Sequence, residues 1–182
     1  MRDDSGQVVL SVSGKCEPRE DTTIVDGTGK MVAVLRTAQA QQPKATAGWD
    51  STSWLILGTQ PRAPGQAVHV ENLYLWAKLT RYPFTNKAKL FLVKDDGRLD
   101  EAKEAFTVTN SMGMAPHKYQ AKSVAGGAMV VDLGKNQTTN KKEYKVYAAE
   151  GVDVALLFAS SISHFKMDAE IPQGNSVSGV PP

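Results

Sequence analysis

The stretch IVDGTGKMVAVL, residues 24–35, is the part of the chain whose composition comes nearest to a nucleotide-binding motif. A phosphate-binding loop consists of a glycine, four further residues and then Gly-Lys-Ser/Thr. If Gly29-Lys30 is the Gly-Lys pair, the first glycine should be at position 24, which is isoleucine, and the hydroxyl at position 31, which is methionine. The stretch therefore predicts a hairpin turn, in which Asp26-Gly27 supplies the positive φ of a tight turn between strands.

Other residue types that carry chemistry do not form a motif. The histidines His69, His117 and His164 have no short-spaced partners, so a metal site would have to be assembled in space. The sequence has no Gly-x-Ser-x-Gly elbow of a serine hydrolase. The acidic run VKDDGRLDE fails as a calcium loop, because Leu92 and Lys94 would stand at ligand positions. We therefore expect no catalytic residue, no metal, no cofactor and no enzymatic activity.

Two groups of side chains could bind a ligand at the surface. Trp49, Trp54 and Trp76 could form a stacking platform for a sugar or a base, or they could pack in the core. Basic residues gather in two parts of the chain, where they could neutralise phosphates or be solvated loop residues. The candidate RNA phosphate contacts are Lys78, Arg81, Lys87, Lys89, Lys135, Lys141, Lys142 and Lys145.

The composition is that of an ordinary globular protein, since 41% of the 182 residues are hydrophobic and 22% are charged. Cys16 is the single cysteine, so an intrachain disulfide is excluded. No run approaches the roughly 20 apolar residues that span a bilayer, and the acidic N-terminus is a poor signal peptide. We therefore expect an intracellular protein that has no membrane partner.

The elements that must position these side chains are mostly strands. Alternating apolar residues predict strands in STSWLILG, AKLFLV, GAMVVDLG, YKVYAA, VDVALLFA and ISHFKMDAEI, besides the two that flank the Asp-Gly turn. In AVHVENLYLWAKLT, a phase shift at Glu71-Asn72 predicts one long strand with a bulge. On that strand we expect one face to carry Leu73, Leu75, Ala77 and Leu79, and the other face to carry Trp76.

Helical spacing of apolar residues, with acidic residues early, predicts one short helix over residues 98–106. Seven to nine strands with this helix indicate an all-β, single-domain antiparallel sandwich or barrel. The expected domain spans residues 22–171, between an N-terminal arm, 1–21, and a C-terminal tail, 172–182, which both have an extended character.

From about residue 66 onward, the elements follow a definite order. The strands VENLYLWAKL and NKAKLFLVKDDG precede the helix LDEAKEAF, a loop and a strand that ends in VVDLG. A lysine-rich loop, the paired strands EYKVYAAEGVDVALLFAS and SHFKMDAEIP, and the tail QGNSVSGVPP follow. This order resembles the small jelly-roll coat proteins of icosahedral positive-strand RNA viruses of plants, of the bromovirus, cucumovirus and tymovirus kind.

The resemblance implies a jelly roll of about eight strands that assembles with copies of itself around an RNA genome. The expected location is the virion, and the host cytoplasm during assembly. Bromovirus-like coats have an Arg-rich arm, whereas residues 1–27 here hold six acidic and three basic residues. RNA would therefore meet lysines and arginines of the domain body, which bind phosphates without reading sequence.

Three other functions stay open from the sequence. One is a carbohydrate-binding β-sandwich module that uses the tryptophans. Another is a different self-assembling part, such as a phage tail or decoration protein. The third is a β-barrel enzyme without a recognisable motif.

Overall fold

The computed structural model describes residues 7, 9–13, 20–38, 52–81, 87–110, 119–123, 129–135, 144–148 and 153–169. These residues form ten β-strands and one α-helix, so the all-β class expected from the sequence is confirmed. The strands are β1 (Leu10–Ser13), β2 (Thr22–Asp26), β3 (Met31–Thr37), β4 (Thr52–Gly58), β5 (Tyr74–Arg81), β6 (Lys87–Leu92), β7 (Phe106–Asn110), β8 (Tyr119–Ser123), β9 (Met129–Lys135) and β10 (Tyr144–Ala148), and the helix is α1 (Val154–Ala169).

The ten strands form one antiparallel sheet in which each strand pairs with the next along the chain. A jelly roll instead contains Greek-key connections, which make non-consecutive strands neighbours. The described strands are therefore ordered as a meander, and their pairings do not contain the Greek-key order of a jelly roll. β1 belongs to the expected arm, so this part of the arm is a strand of the sheet, and the expected tail, 172–182, lies outside the described residues.

α1 replaces two strands that the sequence predicts. Residues 154–169 form one continuous helix, so the strands expected in VDVALLFA and ISHFKMDAEI are wrong. The helix begins after Asp153, whose carboxylate accepts a hydrogen bond from the Leu156 amide at 2.8 Å, as an N-cap residue does. A continuous apolar run fits a buried helix as well as a buried strand, because both faces of either element must then be apolar.

The sheet and the helix share the main hydrophobic core, which we call the inner cluster. It contains side chains of β1 to β7 and of α1, and Leu157 in the helix is 1% exposed. Ser160, Ser161 and Ser163 are also buried, and each donates its hydroxyl hydrogen to a backbone carbonyl three or four residues earlier. These bonds satisfy the hydroxyls inside the helix, which lets small polar residues lie in the core.

A bulge in β5 divides the apolar residues of that strand between two faces. Ile56 and Leu57 of β4 face Ala77 and Leu75 of β5, which leaves Trp76 as the extra residue. Ala77 and Trp76 therefore lie in the inner cluster, whereas Leu75 packs on the other face of the sheet. The expectation of a single face for Leu73, Leu75, Ala77 and Leu79, opposite Trp76, is wrong because of this shift.

The second face of the sheet has an apolar cluster of its own, the outer cluster. It consists of Val34, Leu55, Leu57 and Leu73 with three partly buried neighbours. β4 thus contributes to both clusters, which explains why STSWLILG is apolar without alternation.

Two turns differ from the sequence-based expectation in their backbone. Glu71 and Asn72, at φ 51° and 63°, close a tight turn between the bridged residues Val70 and Leu73, so the long strand begins only at Tyr74. In the hairpin between β2 and β3 the expected turn is confirmed, but Gly29 has the positive φ, 85°, and Gly27 does not. A type I turn followed by a left-handed glycine has this geometry.

The Asp26 side chain stabilises the β2–β3 turn. Its carboxylate accepts hydrogen bonds from the Thr28 hydroxyl at 2.6 Å, the Thr28 amide at 2.9 Å and the Lys30 amide at 3.0 Å. The Thr28 hydroxyl, and then the two amides, hold the pKa of Asp26 below its ordinary value. The glycines and lysine of this stretch therefore serve a turn and form no phosphate loop.

The short helix expected over residues 98–106 is also wrong. Leu99 forms an isolated bridge with Val93, residues 101–102 are a turn, and Phe106 begins β7. Isolated helices of this length are marginal, and here the acidic side chains that suggested a helix start form ion pairs with lysines instead.

Candidate nucleic-acid interface

The sheet brings some of the eight candidate phosphate contacts together. Lys78 and Arg81 are in β5, and Lys87 and Lys89 are in the neighbouring strand β6. Lys135 is in β9, where it pairs with Tyr144, and Lys145 is in β10, where it pairs with Gly134. Lys141 and Lys142 lie outside the described residues.

Lys89 occupies the middle of a polar row that crosses the outer face of the sheet. Its backbone partners are Thr80 on one side and Thr107 on the other, and residues that directly oppose each other share a face. Ser53 of β4 is opposite Thr80, and their hydroxyl oxygens are 3.0 Å apart. Lys122 of β8 is the register partner of Thr107. We call these five positions the polar row: Ser53, Thr80, Lys89, Thr107 and Lys122.

Acidic side chains lie against the lysines of this face. The connection between β6 and β7, residues 93–105, carries these carboxylates, and we call it the acidic segment. Glu101 is 2.7 Å from the Lys78 ammonium, and Glu104 is 2.6 Å from that of Lys89. A third pair, Lys94 with Asp100 at 3.4 Å, lies within the acidic segment itself.

The Glu104 carboxylate contacts two members of the polar row. Besides Lys89, the Thr107 hydroxyl donates a hydrogen bond of 2.8 Å to its carboxylate. The Lys89 ammonium, with a smaller effect of Thr107, holds the pKa of Glu104 below its ordinary value of 4.5, although partial burial opposes the shift. Since the folded pKa is depressed, this pair stabilises the fold above the unfolded pKa and loses its effect as the pH falls through the folded pKa.

We expect the substitution Lys89→Gln to raise the pKa of Glu104 toward 4.5, because the largest cause of its depression is removed. A pH titration of the Glu104 side-chain carbon by NMR measures this shift. Lys94→Gln is the matched control, since it removes a nearby charge whose partner is Asp100. Equal shifts in the two variants would contradict a specific Lys89–Glu104 pair.

Arg81 differs from the lysines in its surroundings. It is 8% exposed, so its guanidinium is not offered to the solvent. Arg81 lies two residues after Leu79 in β5, so the two side chains are on the same face of the sheet, and Leu79 belongs to the inner cluster. Among the described candidates, Lys78, Lys87 and Lys89 are therefore the cations of the outer face, since Lys87 is exposed and lies two residues before Lys89 in β6.

Arg62, Trp76 and Asp153 form a contact that sequence analysis missed. The Arg62 guanidinium lies over the Trp76 ring, 4.2 Å from its centre, and forms an ion pair with Asp153 at the start of α1. The indole nitrogen of Trp76 donates to the Gln60 carbonyl at 2.7 Å. The β4–β5 connection is thus joined to both the sheet and the helix. The sequence contained one sign of this contact: Asp153 stands before an apolar run, as the N-cap residue of a helix does.

The tryptophans do not support a stacking platform. Trp54 is 0% exposed and Trp76 is 6% exposed, and both belong to the inner cluster. Trp49 lies outside the described residues. Trp54 and Trp76 therefore pack in the core, which was the alternative to a stacking platform.

The remaining candidates for chemistry are also accounted for where the structure describes them. His164 is fully buried in α1, His69 donates its amide hydrogen to the Leu73 carbonyl at 2.8 Å, and His117 lies outside the described residues. Within the described ranges, no three His, Cys, Asp or Glu side chains come together as metal ligands would. The described part of the chain also contains no helix that is long and apolar enough to cross a bilayer.

Comparison with known proteins gives no relative from which a function could be carried over. No protein-family model, no curated protein and no solved structure matches this chain.

Proposed function

We propose that this protein is a non-catalytic structural subunit that binds RNA through the outer face of its sheet and associates with copies of itself. The observation that carries the proposal is the group of lysines on the outer face, Lys78 of β5 and Lys87 and Lys89 of the neighbouring strand β6. Ammonium and hydroxyl groups are the side-chain groups that contact phosphates without reading bases.

The packing of α1 supports a function at the outer surface. Leu156, Leu157 and Ala159 are at most 4% exposed and fill the side of the sheet on which β1 to β7 place their core residues. A small-molecule site inside a sheet of this kind needs a cavity of about 300 Å³ or more. The helix occupies that side over β3, β4 and β5, whereas the lysines of β6 lie on the outer face.

The specific form of the proposal is a coat protein of an RNA virus, present in the virion and in the host cytoplasm during assembly. The resemblance partly relied on a short helix and two final strands. In the structure the helix is absent from residues 98–106, and of the two strands only Tyr144–Ala148 is a strand, since Val154–Ala169 is α1. This form of the proposal therefore depends on assembly behaviour and RNA binding, and shared architecture does not support it.

Light scattering after size exclusion, with negative-stain microscopy, tests the proposal on the full chain with and without RNA. We expect particles far larger than the 19.6 kDa monomer, and RNA binding that weakens as the salt concentration rises. Closed shells support the coat-protein form, whereas rings or tubes indicate a tail or decoration protein. A monomer under all conditions that binds no RNA would overturn the proposal.

A further inference from the structure

We propose that the acidic segment is a built-in competitor for RNA: Glu101 and Glu104 occupy anion positions on the outer face, and phosphates must displace them to bind. This inference rests on the proposed function and adds a means of regulating the same site.

Glu104 has the contacts that a phosphate oxygen would have. Its carboxylate lies 2.6 Å from the Lys89 ammonium and accepts a 2.8 Å hydrogen bond from the Thr107 hydroxyl. Both donors are members of the polar row and lie on neighbouring strands. A negatively charged group that accepts from an ammonium and a hydroxyl can be replaced by another of the same kind, because the contacts are charge-assisted and have no further specificity.

Glu101 covers a second cation, one strand away. It lies 2.7 Å from the Lys78 ammonium, and Lys78 is in β5, next to the strand that carries Lys89. The acidic segment thus neutralises two lysines of adjacent strands at the same time. RNA that approaches this face finds two cations whose charge is already compensated.

The geometry of the segment allows the carboxylates to leave without unfolding the sheet. Two positions of the segment are fixed to β6, since the amides of Asp100 and Ala105 donate to the carbonyls of Leu92 and Leu90 at 3.0 and 2.9 Å. Glu101 and Glu104 lie between these two anchors, and the side chain of Glu101 is 62% exposed. Rotation of the Glu101 side chain therefore frees Lys78, whereas the Glu104 side chain is 20% exposed and must also give up its hydrogen bond from Thr107 to free Lys89.

An open pocket lies where the segment meets the end of β6. The pocket has a volume of about 210 Å³ and is lined by residues of both, including Leu92, Lys103 and Ala105. Exposed ion pairs are weak and are screened by salt, so a polyanion with several phosphates can compete with them.

Fluorescence anisotropy with a single-stranded RNA of about 20 nucleotides, over salt concentrations of roughly 50 to 200 mM, tests the inference on the full chain. The variant is Glu101→Gln/Glu104→Gln, and the control is Asp95→Asn/Asp96→Asn, which removes two charges from the same segment. The carboxylate of Asp96 accepts from the Arg98 amide, and neither control residue belongs to the pairs with Lys78 and Lys89.

We expect the glutamate variant to bind RNA more tightly than the control, by about two- to fivefold for each glutamate removed. Its plot of log affinity against log salt should be steeper by about 1.4, because each additional phosphate contact of a single strand contributes roughly 0.7. Adding Lys78→Gln and Lys89→Gln to this variant should remove the gain.

Equal affinities of the two double variants would overturn the inference, because the effect would then be one of net charge alone. In that case wild-type binding that depends on Lys89 would leave the proposed function standing. If no variant binds RNA and the chain remains a monomer, the proposed function fails together with this inference.

Discussion

The variant Gly58→Ala is expected to lose about 3 to 5 kcal/mol of unfolding free energy, as when a large buried aromatic side chain is deleted. A Cβ atom at this position would lie 1.7 Å from the Trp76 indole. The end of β4 therefore has no room for a methyl group unless the indole moves. Elsewhere, replacing a strand glycine by alanine favours folding by roughly 0.5 to 1 kcal/mol, so a loss of stability at this position would indicate the clash with the indole.

Displacing Trp76 removes several contacts at once. Its ring nitrogen donates to the Gln60 carbonyl at 2.7 Å, and its face holds the Arg62 guanidinium at 4.2 Å. Arg62 in turn pairs with Asp153, the N-cap residue of α1. A displaced indole at the end of β4 therefore also disturbs the contact of Arg62 with the start of the helix.

A double-mutant cycle with Trp76→Ala, measured by urea denaturation, isolates this clash. Once the indole is gone, adding Gly58→Ala should cost less than about 1 kcal/mol, so the two substitutions are strongly non-additive. If Gly58→Ala alone leaves stability within about 1 kcal/mol of the wild type, the close approach of the indole to β4 is contradicted.

The sequence predicted strands at β2 to β6, β9 and β10 but not at β1, β7 or β8, and local patterns explain the ones that it predicted. β6 begins with alternating polar and apolar residues, and the β2–β3 hairpin joins two runs rich in β-branched residues through an Asp-Gly turn, so neighbouring positions determine them. The bulge at Trp76 was not predictable in this way. Its place depends on which β4 residues pair with β5, and pairing across strands is a property of the fold.

The helix and the ion pairs were missed for a physical reason that they share. Val154–Phe158 is apolar without a break, so this run fits a buried strand as well as a buried helix. Which of the two forms depends on the elements that pack around it. Lys78 and Glu101 are 23 positions apart and meet because the acidic segment returns across β6. The sequence indicated Lys78 as a candidate contact, but it contained no sign that a carboxylate of the same chain already neutralises it.

The second large effect is expected for Leu157→Ala in α1, which should lower the unfolding free energy by about 2.5 to 5 kcal/mol. Leu157 is 1% exposed, and its cluster joins the helix to β1 through β7. The cost exceeds the loss of apolar contact alone, because the strands packed against the helix are held by their neighbours in the sheet and cannot collapse into the space left behind.

Val68→Ala is the control for this variant, since Val68 is 49% exposed and the change should stay within about 0.5 kcal/mol. Urea denaturation followed by tryptophan fluorescence measures both variants, because Trp54 and Trp76 lie in the same cluster as Leu157. A Leu157→Ala protein as stable as the control would mean that α1 does not pack against the sheet at Leu157. Because the proposal of a function at the outer face takes support from this packing, that result would also reopen the inner side of the sheet to a ligand.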